Sequence, residues 1–171
     1  MKILLWIVVV CAAVVVAICG WLGAFQTVVI GERLQGPSTL VYREMTGTNM
    51  KTVGDITTGL AATLDAAGIT QRKPMDVFFP DGRAEIGFEV DGTTPAKLAT
   101  LGDGIKAREL PVQKYMYTMF PWKNPASFMV GFFKVDKALA EYRRAHGFKK
   151  VEAITINGGK TIVYLQPIVK E

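Results

Sequence analysis

Apolar residues along the chain follow three spacings, and each predicts a different element. Residues Ile3 to Phe25 form an unbroken apolar run with no charge between Lys2 and Glu32. As a helix this run would rise roughly 34 Å, enough for a hydrocarbon core of about 30 Å. It predicts a transmembrane signal anchor over residues 1–25. The one small-residue cleavage signature, Ala17-Ile18-Cys19, lies inside the run rather than after it, and bulky Ile18 argues against a lipidated Cys19. A retained anchor is therefore the reading, with residues 26–38, ending in Gly36-Pro37, as a tether.

The spacing then changes to alternation. Thr39 to Thr46 reads as a strand with one face Leu40/Tyr42/Glu44 and the other Val41/Arg43/Met45. From Thr52 the apolar residues Val53, Ile56, Leu60, Leu64 and Ala67 recur every three or four positions, so a helix follows, with Thr52 and Asp55 as a capping box and Gly68 at its end. Two β-rich runs around Pro80-Asp81-Gly82 predict a hairpin over residues 74–92. The same order then recurs. An extended stretch from Ile105 to Phe120 leads to a helix opened by Asn124-Pro125 and closed by Gly147, with Phe128, Phe132, Val135, Leu139 and Tyr142 as its stripe. After it come VEAITIN, the turn Asn157 to Lys160, and TIVYLQPI. Residues Asp91 to Gly104, with Thr93-Thr94-Pro95 and Gly102-Asp103-Gly104, read as the loop between the units. The expected fold is α+β: two pseudo-symmetric βαββ units in antiparallel sheet, two helices on one face, and the N-terminal transmembrane helix.

Composition removes several function classes. The net charge of +5 is spread without a basic run, so nucleic acid is not an expected partner. Cys11 and Cys19 both lie in the first apolar run, which leaves residues 39–171 without thiol or disulfide chemistry. His146, the only histidine, falls at the end of the second helix, where a cation suits the helix dipole. Ser38 and Ser127 lack the context of an activated nucleophile, and no Cys/His cluster offers a metal site. Gly102-Asp103-Gly104 reads as a turn rather than a phosphate loop. No catalytic residue, cofactor or metal is expected.

The residues around the line where the halves meet are rich in aromatics, which give a ligand flat apolar walls. Alternation in Ala84 to Val90 sets the apolar even positions toward the helices and Glu85, Gly87 and Glu89 on the opposite face. If that face lines a groove, Glu85 pairs there with a cationic or polar ligand, and desolvation raises its pKa; otherwise it is an exposed charge. The expected ligand-binding residues are Tyr42, Glu85, Tyr117, Trp122 and Tyr164. Phe78, Phe128 and Phe132 are expected in the core.

The order of elements, with AEIGFEV in the first unit, LPVQKYMYTMFPW leading into SFMVGFFKVDKALAEYRRAHGF, and the closing IVYLQPI, resembles the GyrI-like family of small-molecule-binding domains. That family also supplies the effector-binding domains of AraC-type and drug-sensing regulators. The resemblance runs over about residues 38–169 and implies two βαββ halves with a ligand groove between them. Drug-binding members often carry a carboxylate in the last strand; here TIVYLQP has Val163 or a neighbour in its place. Some members hydrolyse reactive small molecules, for which Glu85 with Tyr117 or Trp122 would be the counterpart.

Three functions follow. The first is a membrane-anchored domain, residues 39–171, that senses or sequesters a small apolar or amphipathic ligand in an aromatic-lined groove. The second is an accessory subunit of a larger membrane protein complex, docking through the domain and through α-helical contacts near Gly20 and Gly23. The third is a hydrolase using Glu85. In each, residues 3–25 meet the lipid bilayer, and Lys2 places the N-terminus in the cytoplasm with the domain exported, periplasmic in a bacterium.

Overall fold

The computed structural model of the chain describes residues 2–47, 49–91, 98 and 100–170, with side chains from Trp6 onward except that of Pro125. Among the described residues the long helices are α1 (Lys2–Trp21), α2 (Met50–Ala66) and α3 (Pro125–His146). Eight strands, β1 (Gly31–Gln35), β2 (Ser38–Thr46), β3 (Arg72–Phe78), β4 (Arg83–Val90), β5 (Lys106–Leu110), β6 (Gln113–Pro121), β7 (Ala153–Asn157) and β8 (Thr161–Pro167), join in one sheet. All pairings are antiparallel, in the order β1-β6-β8-β7-β3-β4-β2-β5.

The register carries the internal repeat. β2-α2-β3-β4 and β6-α3-β7-β8 are the two βαββ units, and they meet where β3 pairs with β7. Met75 opposes Ile156 and Val77 opposes Ile154, so exchanging the halves maps each pair onto the other. The edge strands are swapped between halves: β1 joins β6 and β5 joins β2. Because only Gly36-Pro37 links β1 to β2 and Pro111-Val112 links β5 to β6, the two ends of the sheet must curl together until these links cross. Gly36 permits the crossing: its φ is +108°, and a Cβ there would stand 2.6 Å from the Pro111 carbonyl oxygen.

The curl separates two faces. Inside it, Leu40, Tyr42, Met75, Val77, Leu110, Tyr115, Ile154, Ile156 and Leu165 form one buried cluster drawn from both halves. Outside it, α2 packs on β4 through Leu60 and Leu64, and α3 packs on β6 and β8 through Val135 and Leu139. Each such leucine is fully or nearly fully buried, worth roughly 1.5–3 kcal/mol over an exposed one.

Helix ends follow their residue chemistry. Asn124 and Ser127 exchange side-chain and backbone hydrogen bonds in a capping box, and Gly147 closes α3 in the left-handed region. α2 begins before the expected Thr52 because Asn49, in extended backbone, accepts from the Lys51 N–H at 3.0 Å and starts the helix at Met50. Gly68 ends it as expected, with φ +75° and the Ile69 N–H donating to the Leu64 carbonyl. His146 sits in the last turn of α3, its ring stacked on Tyr142 at 4.0 Å. Residues 93–95 of the expected loop lie outside the described residues.

Residues 26–38, read as a tether, are held against the domain. Val28 and Ile30 pack on the α3 side of the sheet, Thr118 donates to the Val29 carbonyl at 2.8 Å, and residues 31–35 form β1. Among the described residues no helix is long and apolar enough to cross a membrane. Side chains on α1 are described from Trp6 to Trp21, a rise of about 24 Å against the ~30 Å of a hydrocarbon core.

Candidate functional site

Alternation along the strands decides which face each expected site residue occupies. Tyr42 and Tyr117 lie on the inner face of the curl, Tyr42 inside the buried cluster and Tyr117 packed against it. Glu85 is also on that face and is 6 % exposed. Its Oε2 accepts from Arg108 Nη2 at 2.8 Å and Nε at 3.0 Å, so its charge is already matched. Trp122 and Tyr164 lie on the other face, in the cluster under α3, where Trp122 meets Phe128 edge to face at 6.1 Å. The five residues are therefore not one site. Between the halves the inner face is filled by Met75, Val77, Ile154 and Ile156.

The outer face is arranged differently. α2 lies over β4 and α3 over β6, four strand spacings apart, about 19 Å at ~4.8 Å each. With each helix body reaching ~5 Å from its axis, a strip roughly 9 Å wide between the helices is left uncovered. Its floor is the outer face of β3 and β7, where Pro74, Asp76, Phe78, Ala153 and Asn157 are only half-buried. Phe78, expected in the core, is thus part of this floor.

A polar row crosses that floor. Asp76 on β3 opposes Ile86 on one side and Thr155 on the other, Thr155 opposes Tyr164, and Tyr164 opposes Thr118. Under the exchange of halves Asp76 and Thr155 are counterparts, so this pair sits on the pseudo-two-fold axis. Asp76 has no basic partner among the described residues; it accepts only from the Gly87 N–H at 3.3 Å. Burial pushes its carboxyl up to about 6, against the smaller pull of that N–H. Tyr164 Oη is buried without a hydrogen-bond partner among the described residues, and burial pushes its phenol up to about 12.

The walls differ in character. Arg143 of α3 reaches Gln166 on β8 at 2.6 Å, which turns that flank of α3 toward the cleft. Phe132 lies three turns earlier on the same flank with Phe128 beside it, the rings 6.3 Å apart. On α2, Asp65 pairs with Arg72 of β3 at 2.6 Å, and its flank carries Gly54, Thr57 and Ala61 in the turns before it. One wall is aromatic, the other small and polar. Asp76 was not among the expected site residues, although it was signalled: KPMDVFF places one carboxylate between apolar neighbours in the first strand of the predicted hairpin.

No family model matches this sequence, and no curated protein matches it by sequence. Solved structures do match by shape. SAV2435 bound to tetraphenylphosphonium aligns with TM-score 0.59 at 14 % identity, over 82 % of this chain and 94 % of that one. The EcmrR C-terminal domain aligns with TM-score 0.63 at 5 % identity, over 85 % of this chain and all of that one. A putative transcription regulation protein of Staphylococcus aureus MU50 gives 0.53 at 15 % identity, over 85 % and 100 %. This chain has their fold. The architecture expected from the GyrI-like resemblance is the one found, while identities this low speak for the fold alone.

Proposed function

We propose that the chain is a membrane-anchored small-molecule-binding domain that takes an apolar or amphipathic cation into the cleft between α2 and α3. The reading is carried by Asp76, a carboxylate without a cationic partner at the centre of the cleft floor. Desolvating a lone carboxylate is costly, and a ligand cation relieves that cost while Phe128 and Phe132 meet its apolar body. SAV2435, which shares the fold, is bound to tetraphenylphosphonium, a lipophilic cation, and Asp76 supplies a counter-charge for such a ligand here. Glu85 does not fill that role, being tied to Arg108.

The anchor rests on α1. Its described side chains are apolar on every face, and Trp6, Val8, Val10, Val14, Val16 and Trp21 all stand more than half exposed, a surface that lipid would cover. The lysines of the domain meet the end of that helix: Lys123 donates to the Trp21 carbonyl and Lys134 to those of Ala24 and Gln26. These contacts satisfy the Trp21 carbonyl that the last turn leaves free and two carbonyls just past the helix end, and they hold the domain beside the point of exit. With Lys2 on the cytoplasmic side, the domain is exported.

Calorimetric titration of the full chain in detergent with tetraphenylphosphonium tests the ligand reading. Saturable binding at pH 7.5 that weakens at least about tenfold in Asp76→Asn, the loss of one desolvated charge contact, is expected. No binding, or equal binding by the variant, would remove the proposal.

A further inference from the structure

The exchange of halves also pairs residues on the inner face, and there one pair is mismatched. Arg108 stands on β5 opposite Leu40; Arg33 stands on β1 opposite Tyr115, the counterpart of Leu40. The carboxylate that holds Arg108 is Glu85, which faces Glu44 across β4 and β2. The counterpart of that pair is Val163 facing Met119 across β8 and β6. One arginine therefore has its carboxylate, and the other has valine in the carboxylate's place.

Arg33 shows the consequence. Among the described residues it makes no ion pair; one terminal amino group donates to Gln35 Oε1, and its Nε is buried with no hydrogen-bond partner. Its guanidinium lies over the Tyr117 ring at 4.1 Å, which fixes the plane of the fork, and the partner described on its donor edge is the neutral Gln35, with no carboxylate. Gln113 is turned to Tyr115 Oη at 2.9 Å, and Glu32, the nearest acid in sequence, is on the opposite face with Lys114 and Tyr142. Arg33, Tyr117 and Val163 are all only half-buried, so the place is open to solvent.

We propose that Arg33, Tyr117 and Val163 form a second binding site, for a small organic carboxylate. The ligand's carboxylate displaces Gln35 Oε1 from Arg33 Nη2 and takes, against Nε and Nη2, the position that Glu85 takes against Arg108, and its apolar part rests on Val163 and the Tyr117 edge. The two faces of the sheet thus select opposite charge: Asp76 a cation outside, Arg33 an anion inside. The site does not depend on the cation reading.

Titration of the full chain in detergent with benzoate, and with neutral benzamide as control, tests it. Benzoate binds saturably and benzamide does not; Arg33→Gln weakens benzoate about tenfold or more, while Asp76→Asn leaves it unchanged. Val163→Glu, which would supply the missing carboxylate from the chain, abolishes benzoate binding and raises the melting temperature. The proposal is overturned by a wild type that ignores benzoate, by equal affinity in Arg33→Gln, or by Val163→Glu that binds benzoate as before.

Discussion

Asp76 and Tyr164 are two polar groups on one strip of sheet, and both are short of partners. The folded value of about 6 for Asp76 lies above the 3.8 of an unstructured aspartate, so between those values the native state holds the proton more tightly than the unfolded chain. That contribution is complete below pH 3.8 and is lost as pH rises through 6. Asp76→Asn should therefore melt with the wild type at pH 4 and be more stable at pH 7.5 by roughly 1–3 kcal/mol, the lower end reflecting the partial exposure of the residue. Thermal melts across that range check it; equal stability at every pH would show that the carboxylate has a counter-charge. Tyr164→Phe removes a buried hydroxyl that bonds to nothing described, so stability should hold within about 1 kcal/mol or improve. A loss beyond 2 kcal/mol in denaturant titration would reveal a partner for the hydroxyl. Residues of this kind were the least legible in the sequence. Glu85 drew the eye because its strand alternates cleanly, and the alternation did place it on the face away from the helices. What alternation does not contain is Arg108, 23 positions later on a strand that precedes the second half in the chain but pairs with the first.

Elements were read more successfully than partners, because caps and turns are local chemistry. Asn124, Pro125 and Gly147 bracket α3 where expected, and Gly82 and Gly159 turn the two hairpins with φ of +87° and +85°. Thr52 misled because Asn49, three positions earlier, caps better and the intervening residues accept helical backbone. Two glycines inside elements hold the packing between them. At Gly131 on α3 a Cβ would lie 2.6 Å from Cδ1 of Phe120, a ring 1 % exposed with nowhere to move. Alanine would gain up to about 1 kcal/mol of helix propensity and lose about 1–3 kcal/mol to overpacking, so Gly131→Ala should be mildly destabilised. Gly87 is the harsher case, since a Cβ would meet the Val41 carbonyl oxygen at 1.9 Å, backbone against backbone. Gly87→Ala should lose several-fold more stability than Gly131→Ala in the same melts. The reverse order would mean that β2 and β4 separate more readily than α3 and β6.

For the whole molecule, the repeat of helix, strand, turn and strand implied two like halves and a seam between them; that β3 and β7 form the seam is seen only in the structure. Nor did the repeat give the curl. That depends on two edge strands changing halves through two-residue links, a long-range exchange that no local pattern records, and the curl is what fills the inner face and moves the open surface to the side of the helices. The proposed cleft accordingly lies on the outer side of the sheet, over Asp76 and beside Phe128 and Phe132. Carbon-13 NMR of the Asp76 carboxyl in the full chain, titrated over pH with and without tetraphenylphosphonium, tests this arrangement most directly. The account predicts a midpoint near 6 in the free protein that falls by about one pH unit or more when the cation is bound. A midpoint that the cation leaves where it was would contradict it.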